Sequence, residues 1–147
     1  MLTRHDVVAE ARSWIGTPYR HQGRLKGVGV DCLGLIVGVA RALGLADKDA
    51  DGYGAIPSDN RLRAALEAEM DRVPTGSLRE ADVLLIAWKR WPAHLAIATE
   101  TAPAIRIVDA LRTVGRCCEY RAPEEWFAAA PGGGPRLVGV YRFRGVA

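Results

Sequence analysis

Apolar residues recur at helical spacing through the N-terminal half of the chain and in short branched runs through the C-terminal half. Behind Thr3, residues Val7, Val8, Ala11, Trp14 and Ile15 share one face of a helix that Thr3 caps and Gly16-Thr17-Pro18 ends. A loop rich in glycine (Gly23, Gly27, Gly29) and carrying Arg20, Arg24 and Lys26 then runs to Asp31, long enough to point to a functional role. From Cys32 to Leu43 nearly every position is apolar, Arg41 is the one charge, and Gly44 supplies a stop. That pattern predicts a buried central helix. Gly34 and Gly38 lie on one of its faces, each costing about 1 kcal/mol of helix propensity relative to alanine, so they are expected to let a sheet pack closely there.

Residues 45–57 read as a polar loop, after which Ser58 is expected to cap a third helix with Leu62, Ala65, Leu66 and Met70 inward. Beyond Pro74-Thr75-Gly76 the pattern changes to strands at Asp82–Ala87, His94–Thr99, Ile105–Ala110, Arg116–Tyr120 and Leu137–Phe143. One helical turn is expected at Pro123–Phe127 and a flexible loop at Gly132–Pro135. Helices first and strands after them predict an α+β domain, 1–147 as a single unit, whose mainly antiparallel sheet packs against the helix that begins at Cys32.

Composition narrows the function classes. With 147 residues, 49% hydrophobic and 25% charged, the chain can bury its own core without metals or staples. The net charge of +3 is mild and its cations are scattered, which argues against nucleic acid as a partner. No apolar run approaches the roughly 20 residues that span a bilayer, so membrane insertion is not expected. The N-terminus lacks the apolar block of a secretory signal, so the expectation is a protein made in the cytoplasm without a signal peptide. Three cysteines, two of them the adjacent Cys117 and Cys118, suit neither a disulfide framework nor a zinc site, and no cofactor is expected.

One cysteine is placed for chemistry. A thiol in the first turn of a helix meets the positive end of the macrodipole and unpaired backbone N–H groups, which favour thiolate and also suit a developing oxyanion. Cys32 is so placed, and a buried structural cysteine is the other reading of the position. A thiol nucleophile needs a base. His5 falls in the first helix, where water solvates it, and His21 falls in a loop with no regular element to fix it. His94 begins an apolar strand and shares a face with Ala96 and Ala98, two small residues expected to leave room for a helix. Asp109 ends the next strand, where a hairpin would bring its carboxylate beside His94 to accept the Nδ1 proton and hold Nε2 toward the thiol. A polar residue at a strand edge and a turn aspartate are the alternatives for these two.

The stretch Trp14-Ile15-Gly16-Thr17-Pro18-Tyr19-Arg20-His21-Gln22-Gly23, followed by Gly29-Val30-Asp31-Cys32-Leu33-Gly34-Leu35, closely resembles the nucleophile region of NlpC-type cell-wall peptidases, whose signature is "G-x-P-Y" followed by "D-C-x-G-L". Ala81-Asp82-Val83 matches that family's "G-D-[LV]" strand with alanine in place of glycine, and His94-Leu95-Ala96-Ile97 matches its "H-[VL]-[GA]-I" base strand. The "H-Q-G-R" variant, with Val140-Tyr141-Arg142-Phe143 ending a strand, looks most like peptidases of phage tails and gene transfer agents. The resemblance implies a papain-like fold and a thiol that attacks an amide of the peptidoglycan stem peptide, commonly between γ-D-glutamate and a diamino acid. It implies Cys32 as nucleophile, His94 as base and Asp109 as third polar residue. The Tyr19 hydroxyl would join the Cys32 backbone N–H as oxyanion hole, and Asp31 would help bind substrate. It further implies tail-tip, hub or baseplate partners and action on the wall from a virion-like particle.

Leu33 stands where many members carry a serine that binds the substrate's free amino group, and Asp109 stands where the family often has histidine. Trp88 and Trp91 flank Lys89-Arg90 as an aromatic and cationic patch for glycan or acidic peptide, with Arg20, Arg24 and Lys26 as further candidates to meet substrate carboxylates. A structural tail component with vestigial catalysis, and a Cys-His acyl or amide transferase, are the competing functional readings.

Overall fold

Thr3 opens helix α1, Arg4–Arg12, in a reciprocal cap: its hydroxyl accepts from the Asp6 N–H and its own N–H donates to the Asp6 carboxylate at 2.8 Å. The computed structural model describes residues 1–46, 48–55, 59–128 and 133–147. Trp14 is buried just past the helix, whereas Ile15, expected inward, is 44% exposed because the helix has already ended. A short hairpin follows, strands β1 (Arg24–Leu25) and β2 (Gly29–Val30), and leads into α2, Cys32–Ala42. At its far end Gly44, at φ +67°, lets the Leu45 N–H donate to the Ala40 carbonyl at 2.8 Å and the Gly44 N–H to Arg41, a Schellman stop.

The two helix glycines do admit close neighbours: Trp14 at Gly38 and, at Gly34, the loop before the helix with Arg24 and Val30 of the small β1–β2 sheet, not the large sheet. A Cβ on Gly38 would sit 2.1 Å from the Trp14 ring, and one on Gly34 would sit 2.1 Å from the Gly23 carbonyl oxygen in the preceding loop. Burying an aromatic side chain such as Trp14 is worth about 1.5–3 kcal/mol or more, which outweighs the roughly 1 kcal/mol of propensity that each glycine costs.

Helix α3 spans Arg61–Glu69 and buries Leu62 and Leu66. Ser58 lies outside the described residues, as does Gly132 of the glycine loop. Met70 is not on that helix: it begins strand β3, Met70–Val73, an edge strand that the sequence pattern had folded into the helix. Strands β4 (Val83–Trp88), β5 (Trp91–Glu100), β6 (Arg106–Leu111), β7 (Arg116–Arg121) and β8 (Arg136–Phe143) complete a six-stranded sheet of order β3-β8-β4-β5-β6-β7, antiparallel at every step. A 3-10 turn at Thr75–Ser77 lies between β3 and β4, and another, Glu124–Phe127, lies between β7 and β8.

Alternation divides the sheet between two cores. Val83, Leu85, Leu95, Ile97, Val108 and Ala110 join the helices in the larger cluster, while Leu84, Ile86, Ala96, Ala98 and Ile107 join Ala122 and Trp126 in a smaller one. The room expected beside Ala96 and Ala98 for a helix is therefore taken by the 3-10 turn that carries Trp126. No helix among the described residues is long and apolar enough to cross a membrane.

Candidate active site

Asp31 is the N-cap of α2, and its Oδ1 accepts from the Gly34 N–H at 2.8 Å. Cys32, partly buried, is consequently the first helical residue, placed among first-turn N–H groups that have no partner within the helix. Tyr19 is carried alongside by a bridge to Val30 and by its N–H, which donates to the Gly115 carbonyl at 2.8 Å. Burial, then the negative charges of Cys32 and Asp31, push the Tyr19 phenol up to about 12. It stays a hydrogen-bond donor at neutral pH.

Strand β5 presents His94 beside a bulge: Ile86 pairs with His94 but Ala87 with Pro92, so Ala93 is an extra residue that re-aims the chain next to the imidazole. His94 Nε2 lies 2.7 Å from Asp109 Oδ2, and Cys32 is near enough to favour the charged ring. The nitrogens are thus the reverse of the expected pairing, with Nε2 on the carboxylate and Nδ1 left for the thiol. Burial works against a charged His94 ring, but the hydrogen bonds and charges of Asp109 and Cys32 outweigh it and push it up to about 10. The edge of the ring also faces Trp126, 6.2 Å between centroids.

Asp109 is fully buried. Its Oδ2 accepts from both His94 and the Tyr120 hydroxyl, the latter at 2.6 Å, while Oδ1 has no hydrogen-bond partner. Cys118 pairs with Asp109 across β6 and β7, and Cys117 is buried next to it. Burial and then the Asp109 charge raise both thiols, Cys117 to about 12, so neither competes with Cys32 as a nucleophile near neutral pH.

The remaining candidates scatter. Asp31 is 2% exposed with both oxygens occupied, so it is a brace in this conformation and not an open anion. Arg24 is not free for substrate either. Its donors are committed to Asp31, Asp49, the Tyr53 hydroxyl and the carbonyls of Gly23 and Ala50. Lys26 is tied to Glu10 at 2.7 Å. Arg20 is exposed, its stem lying along Gly29. Trp88, 59% exposed, and Trp91 face one another at the tip of the β4–β5 hairpin, where the Arg90 guanidinium lies 5.5 Å from the Trp91 ring centre. His5 is exposed, and His21 rests edge-on against Tyr53. No group of three His, Cys, Asp or Glu side chains among the described residues could hold a metal ion.

Sequence reasoning missed Tyr120 and Tyr53. Tyr120 has a legible signal, since alternation along β7 puts it on the face of Cys118, which pairs with Asp109. Tyr53 has none, because it sits in an irregular segment whose position depends on the tertiary fold.

A thiol on the first residue of a central helix, with its imidazole on a neighbouring antiparallel sheet, is the papain-like α+β arrangement. By sequence, the chain matches no protein-family model and no curated protein. By structure it shares the fold of NlpC/p60 domains. It is similar to the NlpC/p60 domain of the peptidoglycan hydrolase SagA, with a TM-score of 0.63 at 21% identity over 97% of this chain and 100% of that one. An NlpC/P60 family protein from Bacillus cereus superposes with a TM-score of 0.66 at 17% identity, over 96% of this chain and 40% of that one. The peptidoglycan hydrolase RipB from Mycobacterium tuberculosis does so at 0.58 and 18%, over 95% of this chain and 63% of that one.

Proposed function

We propose that this chain is a cysteine endopeptidase that hydrolyses peptidoglycan stem peptides at the bond between γ-D-glutamate and the diamino acid. In this reading it is made in the cytoplasm and built into the tail tip, hub or baseplate of a phage-like particle or gene transfer agent, from which it opens the wall during DNA delivery. The observation that carries the enzymatic part is the alignment Cys32–His94–Asp109: the thiol at the start of α2 and a buried carboxylate 2.7 Å from the ring both favour the charged imidazole. Support for the substrate comes from the motif resemblance and from neighbours whose names describe peptidoglycan hydrolases. Support for the tail setting comes only from the motif variant His21-Gln22-Gly23-Arg24 and the strand ending Val140-Tyr141-Arg142-Phe143.

The Cys32 thiolate attacks the amide carbonyl carbon, and the oxyanion so formed accepts from the Cys32 backbone N–H and the Tyr19 hydroxyl. Collapse breaks the C–N bond, with the His94 imidazolium giving its proton to the leaving amine and a thioester remaining. Neutral His94 then takes a proton from water, hydroxide adds to the thioester, and the carboxylic acid leaves as the thiolate and imidazolium are restored.

Defined muropeptides incubated with the purified protein and analysed by mass spectrometry test this reading. The expected result is two hydrolysed fragments from wild type and, for Cys32→Ala, a rate lower by about 10^4 or more. Equal digestion by the variant would sink the cysteine mechanism. An acylated acceptor in place of two fragments would make the protein a transferase, and an inert wild type needed for particle assembly would make it a structural tail part.

A further inference from the structure

We propose that Tyr120 is a positioning residue of this site: its hydroxyl shares the Asp109 oxygen that accepts from His94, and so sets the direction and strength with which the carboxylate holds the imidazole. The inference rests on the Cys32–His94 reading above and adds a fourth member behind it.

Both donors converge on one oxygen. The Tyr120 hydroxyl lies 2.6 Å and His94 Nε2 2.7 Å from Asp109 Oδ2, while Oδ1 is buried with no partner. A carboxylate with only the imidazole as donor could turn about its last torsion and offer either oxygen. The phenol, mounted on β7 one strand beyond Asp109, removes that freedom. It also takes part of the charge on Oδ2. An imidazolium facing the undivided charge of a buried carboxylate would hold its proton too tightly to pass it to a leaving amine.

The surroundings leave few other groups to do this. Facing Asp109 are His94 from β5 and Cys117, Cys118 and Tyr120 from β7, and facing His94 are Asp109 and, from α2, Cys32. The two carboxylates on the 3-10 turn that carries Trp126, Glu124 and Glu125, are exposed. The two thiols are weak donors with no hydrogen bond to Asp109, so the phenol is the group able to divide its charge with His94. Burial and the Asp109 charge raise the Tyr120 phenol, so it keeps its proton and remains a donor.

The test is Tyr120→Phe, which removes the hydroxyl and keeps the ring. The 15N NMR titration of His94, identified by its loss in His94→Gln, should move its midpoint upward by roughly half to one pH unit. Turnover on muropeptides should fall by roughly tenfold with KM within about twofold, a split that lost packing alone would not produce. An unmoved or lowered midpoint with unchanged turnover overturns the proposal. Because the titration needs no substrate, a normal upward shift in a protein that digests no peptidoglycan would defeat the functional reading and leave the role of Tyr120 standing. Should the phenylalanine variant not fold, 3-fluorotyrosine at position 120, a stronger donor of nearly the same shape, must move the midpoint downward; an upward or absent shift overturns the proposal.

Discussion

Two buried aspartates flank the Cys32–His94 pair, and they are held in opposite ways. Asp31, on the helix side, has a donor for every direction: Gly34 N–H and Arg24 on Oδ1, Gln22 N–H and the Tyr53 hydroxyl on Oδ2. Asp109, behind the imidazole, concentrates His94 and Tyr120 on one oxygen and leaves the other bare. A buried polar atom without a partner costs about 1–3 kcal/mol. The first aspartate is built to keep a loop and a helix together. The second has no cation of its own and only the Tyr120 hydroxyl to share its charge, and what it faces is a group whose work requires it to become positive.

Substitution should therefore split the two. Asp109→Asn should fold with little loss, because the amide oxygen can keep the His94 and Tyr120 hydrogen bonds while the NH2 takes the place of the bare oxygen, yet turnover should fall by about 10^2 or more as a neutral amide no longer offsets an imidazolium. The pH behaviour should shift with it. The folded-state value of His94 is raised to about 10 from an ordinary 6.5, so the stability it contributes is full below the ordinary value and is lost as pH rises through about 10. In Asp109→Asn that alkaline loss should be smaller and complete a unit or more lower. Calorimetry across pH 7–11 checks the shift, and an unchanged alkaline limb would mean that Asp109 does not govern the imidazole.

Asp31→Ala should do the reverse. It strips the α2 cap and leaves Arg24 half-buried without one of its carboxylates, a loss of about 3–5 kcal/mol for a broken buried pair, moderated by the second partner Asp49. Under conditions where the variant remains folded, His94 should titrate near its wild-type midpoint. Chemical denaturation with NMR of the folded fraction would separate the two effects. A folded Asp31→Ala protein of full stability would place Asp31 in the substrate site after all.

The helical half of the chain was readable because its signals are local: the Thr3 cap, the all-apolar run after Cys32, the Gly44 stop. The site was readable as a set of residues, since Cys32 opens the apolar helix and His94 and Asp109 fall in adjacent apolar strands, although the two lie inside β5 and β6 and not at the strand start and strand end expected of them. Its wiring was not, because strand spacing does not say which imidazole nitrogen meets Asp109, and the Ala93 bulge beside His94 leaves no periodic mark. The role of Arg24 was misread for a related reason. A cation in a glycine-rich loop looks open until the distant residues Asp49 and Tyr53 close around it. Strand β3 escaped because Met70 continues the helical stripe of Leu62 and Leu66 and only its pairing with Phe143 turns it into sheet.

A third buried carboxylate extends the contrast with a smaller effect. Asp82 is saturated like Asp31, with Arg142 bound in a fork at 2.8 and 2.7 Å, the Arg79 N–H at 2.9 Å and Arg4 at 3.3 Å. The residue that turns it inward is Ala81, at φ +73°, where an L side chain costs about 1–2 kcal/mol. Glycine there would relieve that strain but would lose a buried methyl worth about 0.8 kcal/mol and add unfolded-state freedom worth about 0.4–1 kcal/mol. The terms nearly cancel, so Ala81→Gly should leave stability within roughly 0.5 kcal/mol. A β-branched residue has no such offset, and Ala81→Val should cost more than about 2 kcal/mol. Neither should move the His94 midpoint, because Asp82 ties the start of β4 to β8 and α1 and has no part in the proton path. A large stabilisation by glycine would show that the strain, and not the ion pairs of Asp82, limits this corner of the fold.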